Sequence, residues 1–554
     1  MNRVEQYRTL LDQWQEAGLN RRTFLRLAAC GASAATLSAM IANPVAAMQS
    51  EATAEAEGEI AHPTAAPFVD RPFAIGLSVE PDTLDVQDTT SNASASVDKC
   101  IYEGLVTLDD QMRVVNLLAE SWDVSDDAME FTFKLHEGVT FHDGEPFNAE
   151  AVVKAYDRVL DPDSTLRRAV YFSDVLDHVE AVDEYTVKFV ALAPFAAMIA
   201  TLAHPAGGIP SPKAAEESGE DFGSNPVGTG PFRFVEWVRG DHITLEANPD
   251  YWNPDLAAAV PQLTIRGMAE PSALGIAVQS GDANFAGPLE ASQAQLLRSD
   301  DRVTVTEVDG MTIYWVTMNN AKEPFTDVKV RQALNYGVNK EAVLMAGSLG
   351  EGYVADAPIT RSVWGYHETG GYDYDPDKAK ELLAEAGYSD GFSTELWTSA
   401  VHRDRAVAVQ NQLQQIGVQA EVIQMESAAL TEEQAKPVEE SNIQLMMTQW
   451  SPSTGDADWA LRPIYTKGSW PPAGSTFSFF TDPDVEEAIQ QGLELPNPDE
   501  RAAAYARAQE RIMELAPNLF LYVPTYFGAI SSDAGGCLTQ ADGVVFLRTA
   551  YWQG

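Results

Sequence analysis

The apolar pattern of this chain runs through one strand-and-helix series and then starts a second. Phe73 to Val79 is a short apolar run, and Asn92 to Leu105 carries helical spacing at Ala95, Val97, Ile101 and Leu105. Glu130-Phe131-Thr132-Phe133-Lys134-Leu135 alternates strictly, which predicts a half-buried strand, and His142-Asp143-Gly144 turns it toward a helix capped at Asn148. Val187 to Leu192, Phe232 to Val238 and Ile243 to Ala247 read as further strands. The second series begins near Thr312, with a strand at Ile313 to Met318 and a helix at Val328 to Val338. Asp375-Pro376 is a cap followed by proline at the first helical position, and Gly387 stops that helix. Ala406 to Ile416 reads as helix, Ala420 to Ile423 and Ile443 to Thr448 as strands, Pro498 to Leu515 as a long helix, and Asn518 to Phe527 as an apolar strand. No repeat of fixed period is present, and 554 residues exceed what one core can serve. Two α/β units predict two lobes with a cleft between them, where small ligands usually bind.

The formal charge of −46 repels nucleic acid phosphate and anionic lipid headgroups, so neither is expected as a partner. Arg21-Arg22-Thr23-Phe24-Leu25-Arg26-Leu27 reads as a twin-arginine export signal, followed by the small-residue apolar run Ala28 to Ala42. Val45 and Ala47 suit the small-residue pockets of a signal peptidase, which predicts cleavage after Ala47. Cleavage would remove five Arg against three acidic residues and deepen the charge by two, to −48. Leu27-Ala28-Ala29-Cys30-Gly31 also reads as a lipoprotein box, but almost no apolar segment precedes its cysteine. Residues 48–69 are rich in Ala, Glu, Thr and Pro and read as a flexible tether. Cys100 and Cys537 read as two buried free thiols, with a single bridge as the alternative.

Motifs for covalent chemistry are missing. The eight histidines contain no H-E-x-x-H pair, and His136, Glu137 and His142 lie too far apart along a strand and a turn to make a good zinc site. No phosphate loop or nucleophile elbow occurs. Gly228-Thr229-Gly230-Pro231 reads as a structural turn, because the proline removes an amide donor. No catalytic residue, metal or cofactor is expected. One segment stands apart: WSPSTGDADW, Trp450 to Trp459, places two indoles around hydroxyls, a glycine and two carboxylates.

Ala119-Glu120-Ser121-Trp122, Phe131 to Val139 and Phe141-His142-Asp143-Gly144 together resemble the signature segment of family 5 solute-binding proteins, the extracytoplasmic receptors of peptide, nickel and related ABC importers. Pro226 to Phe232, Asn248-Pro249-Asp250-Tyr251-Trp252, Asp327 to Asn335 and Leu382 to Tyr388 match the family in order, so the resemblance spans about residues 73 to 550. It implies a two-lobed α/β fold of the periplasmic-binding-protein type II kind, with an extra subdomain in lobe one. Lobe one would take residues 70–312, lobe two 313–523, and 524–554 would return to lobe one. The chain would cross between lobes near Thr312–Asn319 and near Leu519–Phe527, on neighbouring strands.

Leu202-Ala203-His204-Pro205-Ala206, Gly391 to Thr394, Trp450 to Leu461 and Trp470-Pro471-Pro472 resemble glutathione receptors more than dipeptide receptors. In dipeptide receptors an aspartate three residues after the tryptophan holds the peptide ammonium; here that position is Ser453. The resemblance therefore implies ligand contacts along Trp450, Ser451, Ser453, Thr454, Gly455, Asp456, Asp458 and Trp459. The alternative for Asp456 and Asp458 is that they cap the next helix while Trp459 packs in the core. Arg403 occupies a position like the arginine that grips a ligand carboxylate, with Arg405 as competitor. Thr89, Thr90, Ser91 and His204 would line the cleft from lobe one. The reading is a monomeric receptor, exported by the twin-arginine route to the periplasm or the outer face of the cytoplasmic membrane. It would bind glutathione or a similar short peptide and deliver it to ABC permease subunits. A general dipeptide receptor, a nickel-chelate receptor and an exported hydrolase are the alternatives.

Overall fold

The computed structural model describes residues 66–474 and 476–553; the expected leader and the tether up to residue 65 lie outside them. The main sheet has twelve strands: β1 (Phe73–Leu77), β2 (Phe232–Val238), β3 (His242–Ala247), β4 (Gln262–Gly267), β5 (Phe285–Leu289), β6 (Val303–Asp309), β7 (Ile313–Met318), β8 (Gly352–Val354), β9 (Phe392–Thr398), β10 (Val418–Gln424), β11 (Leu445–Trp450) and β12 (Asn518–Ser531). Its main path runs β10-β9-β11-β7-β12-β5-β1-β4-β3-β2, with β6 and β8 paired to β12 off that path.

β12 organises this order. Its first residues, Asn518 to Tyr522, pair antiparallel with β7, and its last, Thr525 to Ser531, pair with β6. Phe527 to Ile530 also meet β5. Between these stretches stands Pro524, which has no amide proton to give. Its carbonyl accepts from the Gly310 amide at 2.9 Å, in the turn that joins β6 to β7. Both expected crossings, β7 and β12, are thus neighbouring strands; on that edge β12 changes partner at Pro524, while β8 pairs with Tyr522–Pro524 on the other. The strand expected to end at Phe527 runs on to Ser531 because β5 and β6 continue to supply partners.

A separate antiparallel sheet holds four strands, Ala119–Val124, Glu130–Leu135, Thr186–Ala191 and Leu176–Asp183, in that order. Phe131, Phe133 and Leu135 point to one face, as their alternation requires, and share a core with Val152, Ala155, Tyr156 and Val159 of the helix Ala149–Leu160. Asn148 caps that helix, its side chain accepting from the Ala151 amide at 3.0 Å. Asp375 does the same for Pro376–Glu385, accepting from Lys378 at 2.9 Å. Cys100 and Cys537 are both buried and free. Among the described residues no helix is long and apolar enough to cross a membrane.

Several of the sequence motifs converge on one buried carboxylate, Glu103, which is 1% exposed. It accepts from Tyr251 Oη at 2.5 Å, Trp252 Nε1 at 2.8 Å and Thr229 Oγ1 at 3.1 Å, and pairs with Arg548 Nη2 at 2.7 Å. Four partners offset the desolvation of this charge. Gly230 is required nearby because a Cβ there would lie 2.4 Å from the Cys100 carbonyl oxygen. His142 Nε2 donates to the Gly230 carbonyl at 2.9 Å, while its Nδ1 is buried without a partner. His142 is therefore held in place as a structural imidazole.

Burial pushes the His142 pKa down to about 4, so the native ring refuses a proton that the unfolded chain takes up near pH 6.5. Stability from this residue is complete above pH 6.5 and is lost as the pH falls toward 4, by up to roughly 3 kcal/mol. His142→Gln keeps a donor toward Gly230 and does not titrate. Urea unfolding at pH 7 and pH 4.5 should show a smaller acid loss for this variant than for the parent chain.

Candidate functional site

The segment Trp450 to Trp459 leaves the end of β11 and enters the helix Ala457–Tyr465. A turn closes it, with the Gly455 amide donating to the Pro452 carbonyl at 3.0 Å. Gly455 has φ of +70°, a conformation that residues with a Cβ rarely adopt. Asp456 is the cap residue, accepting from the Asp458 amide at 2.8 Å. Its carboxylate also binds Arg501 Nη2 at 2.9 and 3.1 Å, from the helix Pro498–Leu515. Asp456 is 3% exposed and Arg501 7%. Burial raises the Asp456 pKa, against the pull of Arg501. Asp456, expected as a ligand contact with helix capping as the alternative, takes the alternative: it caps the helix, and its charge is neutralised inside the second half of the chain. Asp458, 2% exposed, is held in the same way by Arg462, whose Nε and Nη2 each donate at 2.8 Å. Thr454 is buried too, and its Oγ1 accepts from the Asp456 amide at 3.4 Å.

The two indoles are only half-buried. Trp450 Nε1 donates to the Trp459 carbonyl at 2.9 Å, and the ring centres lie 6.4 Å apart. Trp459 does not close into the core alone; it lies 5.2 Å from the ring of Tyr171, on the short helix Val170–Ser173. On its other side Tyr171 stacks on His204, 4.6 Å away with planes at 21°. Three rings distant in sequence thus form one ladder. The Tyr171 hydroxyl lies 3.1 Å from Ser453 Oγ and accepts from Arg168 Nη1 at 2.8 Å. With the guanidinium donating into the phenol oxygen, the phenol proton is free for Ser453.

Arg168 Nε in turn donates to the Thr89 carbonyl at 2.5 Å. Thr89 is buried, with Oγ1 donating to Asp82 at 2.7 Å and accepting from the Ser91 amide at 3.0 Å. Ser91 caps the helix Asn92–Ile101, and Thr90 stands exposed between the two. His204 is 4% exposed and accepts from the Ala206 amide on Nδ1 at 3.1 Å. Burial, with the nearby Arg168 and Lys99 charges, holds its pKa well below the ordinary imidazole range. A neutral ring with its proton on Nε2 is the form consistent with that accepted bond.

Thr89, His204, Ser453 and Trp459 therefore gather around Arg168 and Tyr171, two residues the sequence reading did not name. The visible signal was Leu166-Arg167-Arg168 shortly before Tyr171-Phe172, a basic pair and aromatics in an acidic chain. Ser451 is half-buried on the same loop as Ser453. Arg403 opens the helix Arg403–Gln415 as an exposed residue outside this cluster. Arg405 is half-buried, with its guanidinium 4.5 Å over Tyr314 and donating to Tyr522 Oη at 2.5 Å, the Gly347 carbonyl at 2.8 Å and the Val401 carbonyl at 3.1 Å. Among the described residues no carboxylate lies within 4.0 Å of Arg168, Arg403 or Arg405, and no group of three acidic, His or Cys residues could hold a metal ion.

Removing one member of a buried ion pair strands the other charge, at a cost of about 3–5 kcal/mol. Asp456→Asn should therefore lower the stability of the unliganded protein by that order, measured by urea unfolding at pH 7. A change under about 1 kcal/mol would contradict the assigned pairing with Arg501.

A family model described as bacterial extracellular solute-binding proteins, family 5 Middle, matches residues 113–472. Glutathione-binding protein GsiB of Pectobacterium atrosepticum is 38% identical over 467 residues, covering 83% of this chain and 90% of that protein. Among solved structures, HbpA2 from Haemophilus parasuis superposes with a TM-score of 0.80 at 25% identity, covering 87% of this chain and all of that one. The periplasmic binding protein DppA from Helicobacter pylori, in complex with the peptide STSA, gives 0.71 at 25% identity, covering 88% and 98%. These neighbours share the two-lobed α/β architecture built here around β12. The chain belongs to the bacterial extracellular solute-binding proteins of family 5.

Proposed function

We propose that this protein is a monomeric receptor that captures glutathione, or a similarly short peptide, and delivers it to an ABC permease without altering it. Lobe one would comprise residues 70–312, lobe two 313–523, and residues 524–554 a return to lobe one. Export would follow the twin-arginine route.

The observation that carries this reading is Ser453. Where a dipeptide receptor would place an aspartate for a peptide ammonium, this chain places a hydroxyl bonded to Tyr171 at 3.1 Å. Both nearby carboxylates, Asp456 and Asp458, already face arginines of their own half. What remains for a ligand is hydroxyls, aromatic faces and arginines without carboxylate partners. Glutathione carries two carboxylates and one ammonium group, which shares its carbon with a carboxylate, so its charge pattern suits such a surface better than a lone α-ammonium does. The name of the Pectobacterium relative supports the same ligand. Trp450, Ser451, Ser453, Thr454, Gly455 and Trp459 would contact it from lobe two, and Thr89, Thr90, Ser91 and His204 from lobe one. Asp456 and Asp458 would hold that loop in shape from beneath. The ligand's carboxylates would meet Arg403 or Arg405 in lobe two, and Arg405 is the better placed because aromatic contact and two carbonyls already fix its guanidinium.

A thermal-shift screen with glutathione, dipeptides and nickel chelates tests the proposal. A ligand at 100 times its Kd adds about 2.7 kcal/mol, a clear rise in Tm. Glutathione should produce that rise, dipeptides a smaller one and nickel chelates none, with the glutathione recovered intact by chromatography. Ser453→Asp should weaken glutathione about tenfold and improve dipeptides. A parent chain stabilised by dipeptides and not by glutathione would replace this reading with the general dipeptide receptor.

A further inference from the structure

In a chain of 82 acidic and 36 basic residues, Arg168 is half-buried with no carboxylate partner among the described residues. Its neighbour Arg167 takes the local carboxylates, Asp82 at 2.8 Å and Asp88 at 3.4 Å. Arg168 receives two neutral acceptors instead, the Thr89 carbonyl and the Tyr171 hydroxyl, and among the described residues its Nη2 has no partner. A half-buried guanidinium without countercharge costs free energy that an incoming anion would recover. Its pose is set from both sides, because the backbone of the Thr89–Ser91 loop fixes Nε and the His204–Tyr171–Trp459 ladder fixes Nη1. Planar guanidinium donors held this way match a carboxylate. Through Tyr171 the same group is tied to Ser453 on the opposite loop.

We propose that Arg168 binds one carboxylate of the ligand and makes the site select short peptides with two carboxylates over those with one. This rests on the glutathione reading above and adds the contact that sets its specificity. The lobe-two arginines would be left for the second carboxylate.

Calorimetry on the full chain tests it with three ligands: glutathione, its glycine monoethyl ester, and γ-aminobutyryl-cysteinyl-glycine, which lacks the α-carboxylate. Arg168→Gln should weaken glutathione roughly 10- to 100-fold, the range expected for one charge-assisted hydrogen bond. Arg168→Lys should recover part of that loss. One of the two analogues should bind the parent chain more weakly by a similar factor and bind Arg168→Gln no worse than glutathione does. Added salt should weaken glutathione more in the parent chain than in Arg168→Gln. The proposal is overturned if Arg168→Gln binds glutathione like the parent, or if it loses all three ligands by one common factor. Should Arg168→Gln fail to fold, the parent chain decides, and indifference to both analogues overturns the proposal. A folded parent chain that binds none of the three at millimolar concentration removes the glutathione reading itself, whereas a parent chain that binds glutathione while Arg168→Gln binds it equally well removes only the Arg168 contact.

Discussion

One strand carries hydrogen bonds to both halves of this molecule. β12 pairs with β7 through Asn518–Tyr522 and with β5 and β6 through Thr525–Ser531, and Pro524 interrupts it between them. A proline in a central strand removes a ladder donor, so while β8 pairs with Tyr522–Pro524 on one edge, the changeover of partners on the edge facing β6 and β7 is held by the Pro524 carbonyl. The turn from β6 to β7 meets it at Gly310. Two neighbouring segments that change partners at one level are where reorientation of the halves would need dihedral changes in only a few residues. The ladder of His204, Tyr171 and Trp459 joins loops from both halves, so a ligand bound there under the proposed reading would be linked to the relative position of the halves.

The electrostatics of the site are the reverse of those of the surface. The chain carries −46 overall, yet Asp456 and Asp458 turn inward to Arg501 and Arg462. Under the proposed reading, hydroxyls, rings and Arg168 would be left to face the ligand. A negative exterior would slow the approach of the proposed anionic peptide, and a local positive group would compensate at short range, where screening by salt is weakest.

Much of the framework was legible because its signals are local. Asn148 and Asp375 cap the helices their spacing announced, and strict alternation placed Phe131, Phe133 and Leu135 on one face. The family motifs were legible as a pattern without a reason; the structure supplies it, since Thr229, Tyr251 and Trp252 all donate to Glu103. The site was harder. Arg168 and Tyr171 carry no local signal of their role, because their meaning depends on His204 and Ser453, 33 and 282 residues beyond Tyr171. The charge of Asp456 was misjudged for the same reason: its partner, Arg501, is 45 residues further along on a helix with no motif of its own.

Hydrogen–deuterium exchange with and without glutathione addresses the central claim, that a short peptide binds where Arg168, Tyr171, His204 and Ser453 meet. Backbone amides near Thr89–Ser91, Arg168–Tyr171 and Ser451–Asp456 should gain protection together, with weaker protection along the β6–β7 turn and around Pro524. Protection confined to other surfaces, or binding that leaves these three segments unchanged, would contradict the account.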